Sequence, residues 1–352
     1  MNAVQLDDNI SFDIPVVLFF FKRVDTTLKI LDRIKKVKPR KIYLISDGPR
    51  DSTEQEEIIN CRKQIEAAIN WNCEIVRNYA EENKGVYDRI GVGAKWVLSL
   101  EPSAIFLEDD NLPEVEFFYF CKNLLERYEN NSKVFWICGT NYLENYEPID
   151  GSSYVFTKHL MPCGWASWSH KFPELYDGEL KMLSDHKNFA KLKDQYEDKR
   201  LYKQQLRSGI SELEAIKYNG RPTSWDFQMA LTIRMNDVFG ISPKKNLIKN
   251  IGVDMYSTHG GTSYDNPMTE RFCKIESYPL EMPLIHPKYI LTDKIYEERV
   301  GNIILYPFFM RFKFAIKRFF SNILRKIFKI HPQDRITDVV AEKLNLFNKK
   351  KV

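Results

Sequence analysis

The sequence has no uninterrupted apolar run of the length that crosses a membrane. A spanning helix needs about 20 apolar residues, whereas the charge-free run at 300–310 in the C-terminal segment has eleven. The first 13 residues are polar, without the basic stretch and apolar stretch of a secretory signal. We therefore expect neither a transmembrane helix nor secretion.

The nucleotide-binding and metal-binding motifs that are most easily read from sequence are also missing. No GxGxxG or GxxxxGK[ST] follows a predicted strand, which removes the main support for a dinucleotide or P-loop site. The six cysteines show no CxxC and no paired ligand spacing. This predicts reduced core thiols in the cytosol rather than a disulfide framework or a zinc site.

The charge of the chain is unevenly distributed. The 352 residues carry a net charge of +4, but residues 301–352 have 12 basic and three acidic residues, which is +9. The rest of the chain therefore carries −5. An acidic body and a basic tail need different partners, and we expect no nucleic acid among them, because the body is acidic and shows no aromatic-basic RNA motif.

Short apolar runs alternate with helical patterns between residues 15 and 140. Predicted strands at 16–21, 41–46, 73–77, 104–107 and 134–139 are separated by predicted helices at 26–35, 53–70, 88–100 and 116–128. Continuously apolar strands fit a sheet that is buried on both faces. The pattern predicts an α/β fold with an open, mostly parallel sheet.

Charged residues follow three of these strands. Lys22 and Arg23 follow the first strand, Asp47 follows the second, and the acidic triplet 108–110 follows the fourth. Ligands of such sheets bind beyond the carboxyl ends of the strands. Because clustered carboxylates repel one another, they favour a divalent cation such as Mg²⁺ or Mn²⁺, together with a phosphorylated ligand. The alternative for the triplet is a solvated turn or helix N-cap.

After residue 140 the chain becomes rich in Trp, Tyr, Pro and Gly. We predict a packed loop at 161–168, a polar helix at 188–206, a helix at 225–235, and short strands or loops at 239–242 and 246–250. This second half, 141–298, is typical of the acceptor side of a two-part active site. The predicted organisation is thus an N-terminal segment 1–14, an α/β half 15–140 with the charged rim, the acceptor half and a tail from 299 to 352.

A predicted strand is followed by Phe-Leu-Glu-Asp-Asp and then by Glu-Phe-Phe-Tyr-Phe. In this order of motifs the chain resembles the GT-A glycosyltransferases of the N-acetylglucosaminyltransferase I type. The resemblance covers about residues 15–265 and looks more like bacterial relatives that build surface glycans. It implies a GT-A nucleotide-diphospho-sugar transferase fold in which the triplet binds a nucleotide-sugar with Mn²⁺ or Mg²⁺. Asp110 would be the metal ligand, while Glu108 and Asp109 would hold ribose, sugar or metal-bound water.

The resemblance assigns further donor contacts. Arg23 would touch the donor, Asp47 would read the base, and Lys84 in Asn-Lys-Gly would assist at the diphosphate. A loop at 250–261 that carries Thr258 and His259 would close on the diphosphate. For His259 the alternative is a polar surface residue.

On the acceptor side, Gly164 and Trp165 resemble the glycine–tryptophan segment beneath the acceptor site. Asp226 resembles the catalytic base of the family's Trp-Asp element, and the family implies inversion by direct displacement. The alternative for Asp226 is a helix N-cap. Trp225 is either a wall of the acceptor site or a core residue.

The basic tail has the pattern of an interfacial helix. Between residues 300 and 332 there are seven cations and no acid. At about 100° per residue, most cations fall opposite a face rich in Phe and Ile, which favours docking on anionic lipid. The alternative is a helix that packs on the body with its basic face in water.

Together these observations predict a metal-dependent inverting glycosyltransferase, cytoplasmic and peripheral at the inner face of the cell membrane. It would move a hexosyl or N-acetylhexosaminyl group from a nucleotide-diphospho-sugar to a glycan or lipid-linked glycan in cell-surface polysaccharide synthesis. The alternatives are a nucleotidyltransferase acting on sugar phosphates and a non-catalytic glycan-binding protein at the membrane.

Overall fold

The computed structural model describes residues 12–253 and 263–330. The strands in this part of the chain are β1 (Val16–Phe20), β2 (Lys41–Ser46), β3 (Glu74–Tyr79), β4 (Ser103–Glu108), β5 (Asn111–Pro113), β6 (Val134–Cys138), β7 (Tyr154–Thr157), β8 (Trp165–Trp168), β9 (Phe239–Pro243) and β10 (Ile248–Asn250). The α-helices are α1 (Val24–Val37), α2 (Gln55–Ala68), α3 (Gly93–Leu98), α4 (Val115–Arg127), α5 (Phe172–Leu175), α6 (Lys187–Asp194), α7 (Lys199–Asn219), α8 (Asp226–Met235), α9 (Pro267–Cys273), α10 (Lys294–Ile304) and α11 (Phe308–Phe328).

Eight strands form one sheet in the order β3-β2-β1-β4-β8-β6-β9-β7. Six of them run in the same direction, and β8 and β7 run against it. Strands β5 and β10 pair separately as a small antiparallel ribbon. The predicted fold class, an open and mostly parallel α/β sheet with helices, is confirmed.

Strand β1 shows why these apolar runs form sheet. All five of its residues are buried. Val16, Leu18 and Phe20 face one apolar cluster, whereas Val17 and Phe19 face another on the opposite side of the sheet. Covering both faces with helices is what makes a continuous apolar strand stable.

Strand β8 corrects the predicted packed loop at 161–168. It lies antiparallel between β4 and β6, with Ala166 paired to both Ile105 and Ile137. All four of its residues are buried. The Trp165 ring stacks on Phe106 with centroids 3.9 Å apart, so the strand is held by aromatic packing as well as by the sheet.

Two predicted helices are not continuous α-helices in the structure. The predicted polar helix at 188–206 is two helices, because Asp198 caps α7 by accepting a hydrogen bond from the backbone N–H of Arg200 at 2.7 Å. The predicted helix at 88–100 begins as a π-helical segment, Tyr87–Val92, before α3.

Helices α10 and α11 differ in their relation to the body. Helix α10 spans the predicted boundary at 298/299, and its Tyr296 and Val300 are fully buried. Helix α11 buries none of its residues. Over the two described ranges, no helix is both long enough and apolar enough to cross a bilayer.

Candidate active site

The acidic triplet lies at the carboxyl edge of the sheet, where β4 ends. Glu108 is the last residue of β4, and Asp109 and Asp110 form the turn into β5. Arg23 lies in the neighbouring connection from β1 to α1. Its Nη1 is 3.6 Å from Oδ1 of Asp109 and 3.8 Å from Oδ2 of Asp110. The predicted convergence of a cation and the triplet on one rim is therefore present.

A chain segment that follows β10 lies directly over this cluster. The Arg23 Nη2 donates to the carbonyl oxygen of Gly252 at 3.3 Å, and the Ile251 N–H donates to the carbonyl of Asp110 at 2.8 Å. A Cβ on Gly252 would lie 2.5 Å from the Asp110 side chain. Glycine at 252 is required by this close approach, which lets the backbone cross the acidic turn.

Asn111 is a buried residue of the site that the sequence analysis missed. Its Nδ2 donates to the Asp110 carboxylate, while its Oδ1 accepts from the backbone N–H of Gly164 at 2.9 Å. Gly164 has φ +63°, and a Cβ there would lie 2.5 Å from Ile248. Gly164 thus supports the acidic turn through Asn111.

The acidic cluster is poorly solvated. Burial raises the pKa of Glu108 well above its ordinary value, and the charges of Asp110, Asp109 and Asp226 raise it further, while Arg23 opposes the shift. Burial also raises the pKa of Asp110, against the influence of Arg23. A cluster with this excess of negative charge attracts a further cation.

The residues fit a cation that arrives with its ligand. In the described part of the chain, no group of three or more His, Cys, Asp or Glu side chains is arranged to hold a metal ion. Mg²⁺ and Mn²⁺, however, are often held by one or two carboxylates plus substrate phosphates. Asp109 and Asp110 keep 16% and 22% of their side chains exposed, so both can still be approached.

Asp47 organises the loop that carries Lys84. Its Oδ1 accepts from the backbone N–H groups of Gly48 and Lys84, at 2.9 and 2.8 Å. Its Oδ2 accepts from Asn83 Nδ2 and the Gly85 N–H, at 3.0 and 2.9 Å. Because both oxygens are engaged within the chain, the geometry favours a supporting role over the predicted direct contact with a base. The Lys84 ammonium pairs with Glu82.

Asp226 is the first residue of α8, where the helix dipole favours a carboxylate. Its Oδ1 accepts from the Ser224 hydroxyl and, at 3.0 Å, from the Phe227 N–H. Its charge also contributes to raising the pKa of Glu108, after burial and the charges of the other two carboxylates of the triplet. Asp226 is thus the first helical residue and Trp225 is the N-cap, so the structure does not show Asp226 in the N-cap position of its alternative.

Glu212 on α7 holds the loop that precedes Asp226. Its carboxylate accepts hydrogen bonds from the backbone N–H and the hydroxyl of Thr223 and from the N–H of Ser224. The side chain is buried, with 6% of the residue exposed. Nothing in the helical pattern around residue 212 distinguishes this glutamate from exposed neighbours such as Glu214, so its burial is not predictable from the sequence.

The two predicted acceptor-side tryptophans are core residues. Trp165 is 1% exposed and Trp225 is 4% exposed, and their rings stack with centroids 5.9 Å apart. The burial of Trp225 favours its core alternative over a wall of the acceptor site. Both rings also pack against Trp136. The predicted Thr258 and His259 lie outside the described residues.

No protein-family model and no curated protein matches the chain. Among solved structures, a mannosyltransferase from Pyrobaculum calidifontis in complex with GDP-Man and Mn²⁺ matches with a TM-score of 0.33 and 10% identity, covering 64% of this chain and 70% of its own. Mouse xyloside xylosyltransferase 1 matches with a TM-score of 0.33 and 11% identity, covering 64% of this chain and 83% of its own. A UDP-glucose pyrophosphorylase complexed with UDP-glucose matches with a TM-score of 0.33 and 12% identity, covering 67% and 92%. Identities and TM-scores of this size do not establish a family for the chain.

Proposed function

We propose that this protein is a metal-dependent, inverting glycosyltransferase that uses a nucleotide-diphospho-sugar. The observation that carries the proposal is the acidic triplet at the carboxyl edge of β4, which has Arg23 against it; the charge of Asp226 at the start of α8 also acts on the pKa of its Glu108. Glycosyl transfer needs a neutralised diphosphate and a deprotonated acceptor hydroxyl held in line. Arg23 and the triplet would serve the diphosphate, the triplet by holding a cation. Asp226 is a separate carboxylate that would deprotonate the acceptor hydroxyl.

On the donor side, Asp110 is the proposed ligand of a Mn²⁺ or Mg²⁺ ion. Such an ion supplies charge neutralisation at the leaving diphosphate. Arg23 lies against the same carboxylates and would add a second positive charge beside the phosphates. Asp47 would keep Lys84 near the donor by fixing the backbone of residues 83–85.

On the acceptor side, Asp226 is the proposed general base. A single carboxylate that removes the hydroxyl proton is sufficient for inversion by direct displacement, because no covalent intermediate has to be formed. Glu212 would act as a positioning residue, since it fixes Thr223 and Ser224, which lead into this base at the start of α8.

The chain geometry weighs against the nucleotidyltransferase alternative. That activity would need a lysine-rich glycine loop after the first strand. Strand β1 ends at Phe20 and α1 begins at Val24, so three residues form the whole connection. Glycosyl transfer makes no such demand on this connection and is the function we favour.

The acceptor in this proposal is a glycan or lipid-linked glycan, presented at the inner face of the cell membrane. The support is α11, whose large apolar side chains lie in water: Phe308, Phe309, Phe312, Phe319, Phe320 and Ile327 are each more than half exposed. Exposed aromatic residues on a basic helix are what an anionic membrane interface binds.

The test is the binding and hydrolysis of a panel of UDP-, GDP- and dTDP-linked sugars by the full-length protein, with Mn²⁺ and with a chelator. We expect one donor to bind in the presence of the metal and to be hydrolysed slowly without an acceptor. Absence of binding to every donor would refute the assignment. Release of pyrophosphate from a sugar phosphate and a nucleoside triphosphate would instead support the nucleotidyltransferase.

A further inference from the structure

A small cleft adjoins Asp226. It has a volume of about 190 Å³ and lies between α7, α8, α9 and the segment after α10. Nine of its thirteen lining residues are apolar or aromatic. Since Asp226 itself lines the cleft, whatever occupies it lies beside the hydroxyl that the proposed base would deprotonate.

Aromatic side chains form much of the wall of the cleft. The Tyr142 and Phe272 rings are packed with centroids 4.9 Å apart, and Tyr142 is 8% exposed. Phe227 is 41% exposed and directly follows Asp226. The packed pair of Tyr142 and Phe272 can bind an apolar group without first having to become ordered.

Tyr306 connects this cleft to α11. Its backbone N–H donates to Oε1 of Gln204 at 2.8 Å, and Gln204 Nε2 donates to the carbonyl of Ile304 at 2.9 Å, so the segment is fixed on α7. The Tyr306 ring makes an edge contact with Phe314 of α11, with centroids 5.4 Å apart. Burial raises the pKa of the Tyr306 phenol and the charge of Asp226 raises it further, which supports their proximity.

Tyr306 therefore belongs both to the cleft and to the contact with α11. It lines the site beside Asp226, and its ring contacts Phe314 on a helix in which most of the other Phe side chains are more than half exposed. At about 30 Å³ per water, the cleft holds the volume of roughly six water molecules. This is smaller than the roughly 300–1,000 Å³ of pockets that enclose a whole drug-sized ligand, so it suits a short chain segment.

We infer that this cleft binds the first carbons of an apolar chain, namely the lipid part of a lipid-linked acceptor, with Tyr306 and Phe227 at its walls. The inference rests on the proposed function, because it takes Asp226 as the base that faces the acceptor. It adds that the acceptor is selected by its lipid as well as by its sugar. It also makes the start of the tail a part of the acceptor site.

The probes for this inference are octyl β-D-glucoside, below its micelle concentration, and methyl β-D-glucoside. Binding to the full-length protein without donor is measured by titration calorimetry. Each methylene that leaves water is worth about fourfold in affinity, and the cleft can take only a few. We expect the octyl compound to bind at least tenfold more tightly than the methyl compound.

Three variants locate the binding. Ala230→Leu adds volume inside the cleft and should reduce the octyl preference to below threefold, whereas Ala190→Leu on the exposed face of α6 should keep it. Tyr306→Phe, which retains the ring, should also keep most of the preference. An unchanged preference in Ala230→Leu would place the octyl group elsewhere, for example on α11, and would overturn the inference.

Failure of this inference can be told from failure of the proposed function. If octyl and methyl glucosides bind wild type equally while a nucleotide-sugar binds with Mn²⁺, the cleft inference is wrong and the glycosyltransferase proposal stands. If the octyl preference is present but no nucleotide-sugar binds, the apolar cleft is real and its assignment to a glycosyl acceptor is wrong.

Discussion

The carboxylate of Glu212 holds Thr223 by two hydrogen bonds, one from its backbone N–H and one, at 2.8 Å, from its hydroxyl. Thr223 lies three residues before the candidate base, Asp226, and Glu212 holds it from α7. Removing the carboxylate in Glu212→Ala leaves buried donors without acceptors, which costs about 1–3 kcal/mol. We expect a lower thermal midpoint and a fall in kcat of more than tenfold, with little change in donor affinity.

The control for this variant is Glu214→Gln, two residues further along α7 and exposed. It should leave both the midpoint and kcat unchanged. If Glu212→Ala weakened donor binding as strongly as it reduced kcat, the positioning role at Asp226 would be wrong, and Glu212 would be a general stabiliser of the body.

Gly164 is constrained by both its backbone and its surroundings. A non-glycine residue at φ +63° costs about 1–2 kcal/mol, and the predicted contact of a Cβ with Ile248 at 2.5 Å adds an overpacking cost of about 1–3 kcal/mol. Gly151 has φ +72° with nothing within 4 Å of a Cβ. We expect Gly164→Ala to lower the free energy of unfolding more than Gly151→Ala, as measured by urea denaturation. Equal losses would show that Ile248 can move aside.

Glu54 makes the stability of the donor half dependent on acid pH. The hydrogen bond from Arg50 is the largest cause lowering its pKa to about 2, with Lys22 assisting at 3.0 Å. Because the folded pKa lies below the ordinary value near 4.5, its contribution is present above pH 4.5 and is lost as the pH falls toward 2. Thermal midpoints of wild type and Glu54→Gln should therefore differ at pH 7 and converge near pH 2.

Glu57→Gln is the matched control, since Glu57 also pairs with Lys22 but has 45% of its side chain exposed. Its effect on the midpoint should be small at either pH. A difference between wild type and Glu54→Gln that persisted at pH 2 would contradict an electrostatic origin.

The proposed membrane contact of α11 is tested by charge reversal. Arg318, Lys326 and Lys329 are exposed, and each basic residue near an anionic surface contributes about 1 kcal/mol. Replacing all three with Glu should abolish flotation with vesicles of 30% phosphatidylserine. The same change at exposed Lys187, Lys191 and Lys193 on α6 should retain flotation. Equal behaviour of the two triple variants would contradict docking through α11.

The parallel half of the fold was predictable because its signals are local. Strands β1, β2 and β4 are apolar runs that end in charged residues, and these three ends mark the rim where Arg23 meets the triplet. The shortness of these runs and their flanking residues favour a buried strand over a buried helix.

The remainder depends on contacts between distant residues. The four residues of β8 carry no turn signal and join the sheet only because Phe106 and Trp136 provide a place for Trp165. Likewise, Asn111 and Glu212 are polar residues whose burial depends on backbone groups more than ten positions away or in another element. Single-sequence patterns do not contain that information.

The most direct test of the account separates the two carboxylates at the candidate site. Donor binding with Mn²⁺ and sugar transfer are measured for wild type, Asp110→Ala and Asp226→Ala, with the responsive nucleotide-sugar from the panel. We predict that Asp110→Ala loses donor binding, whereas Asp226→Ala binds the donor with its affinity within about threefold of wild type and transfers at least a hundredfold more slowly. Retained donor binding in Asp110→Ala, or full transfer by Asp226→Ala, would contradict it.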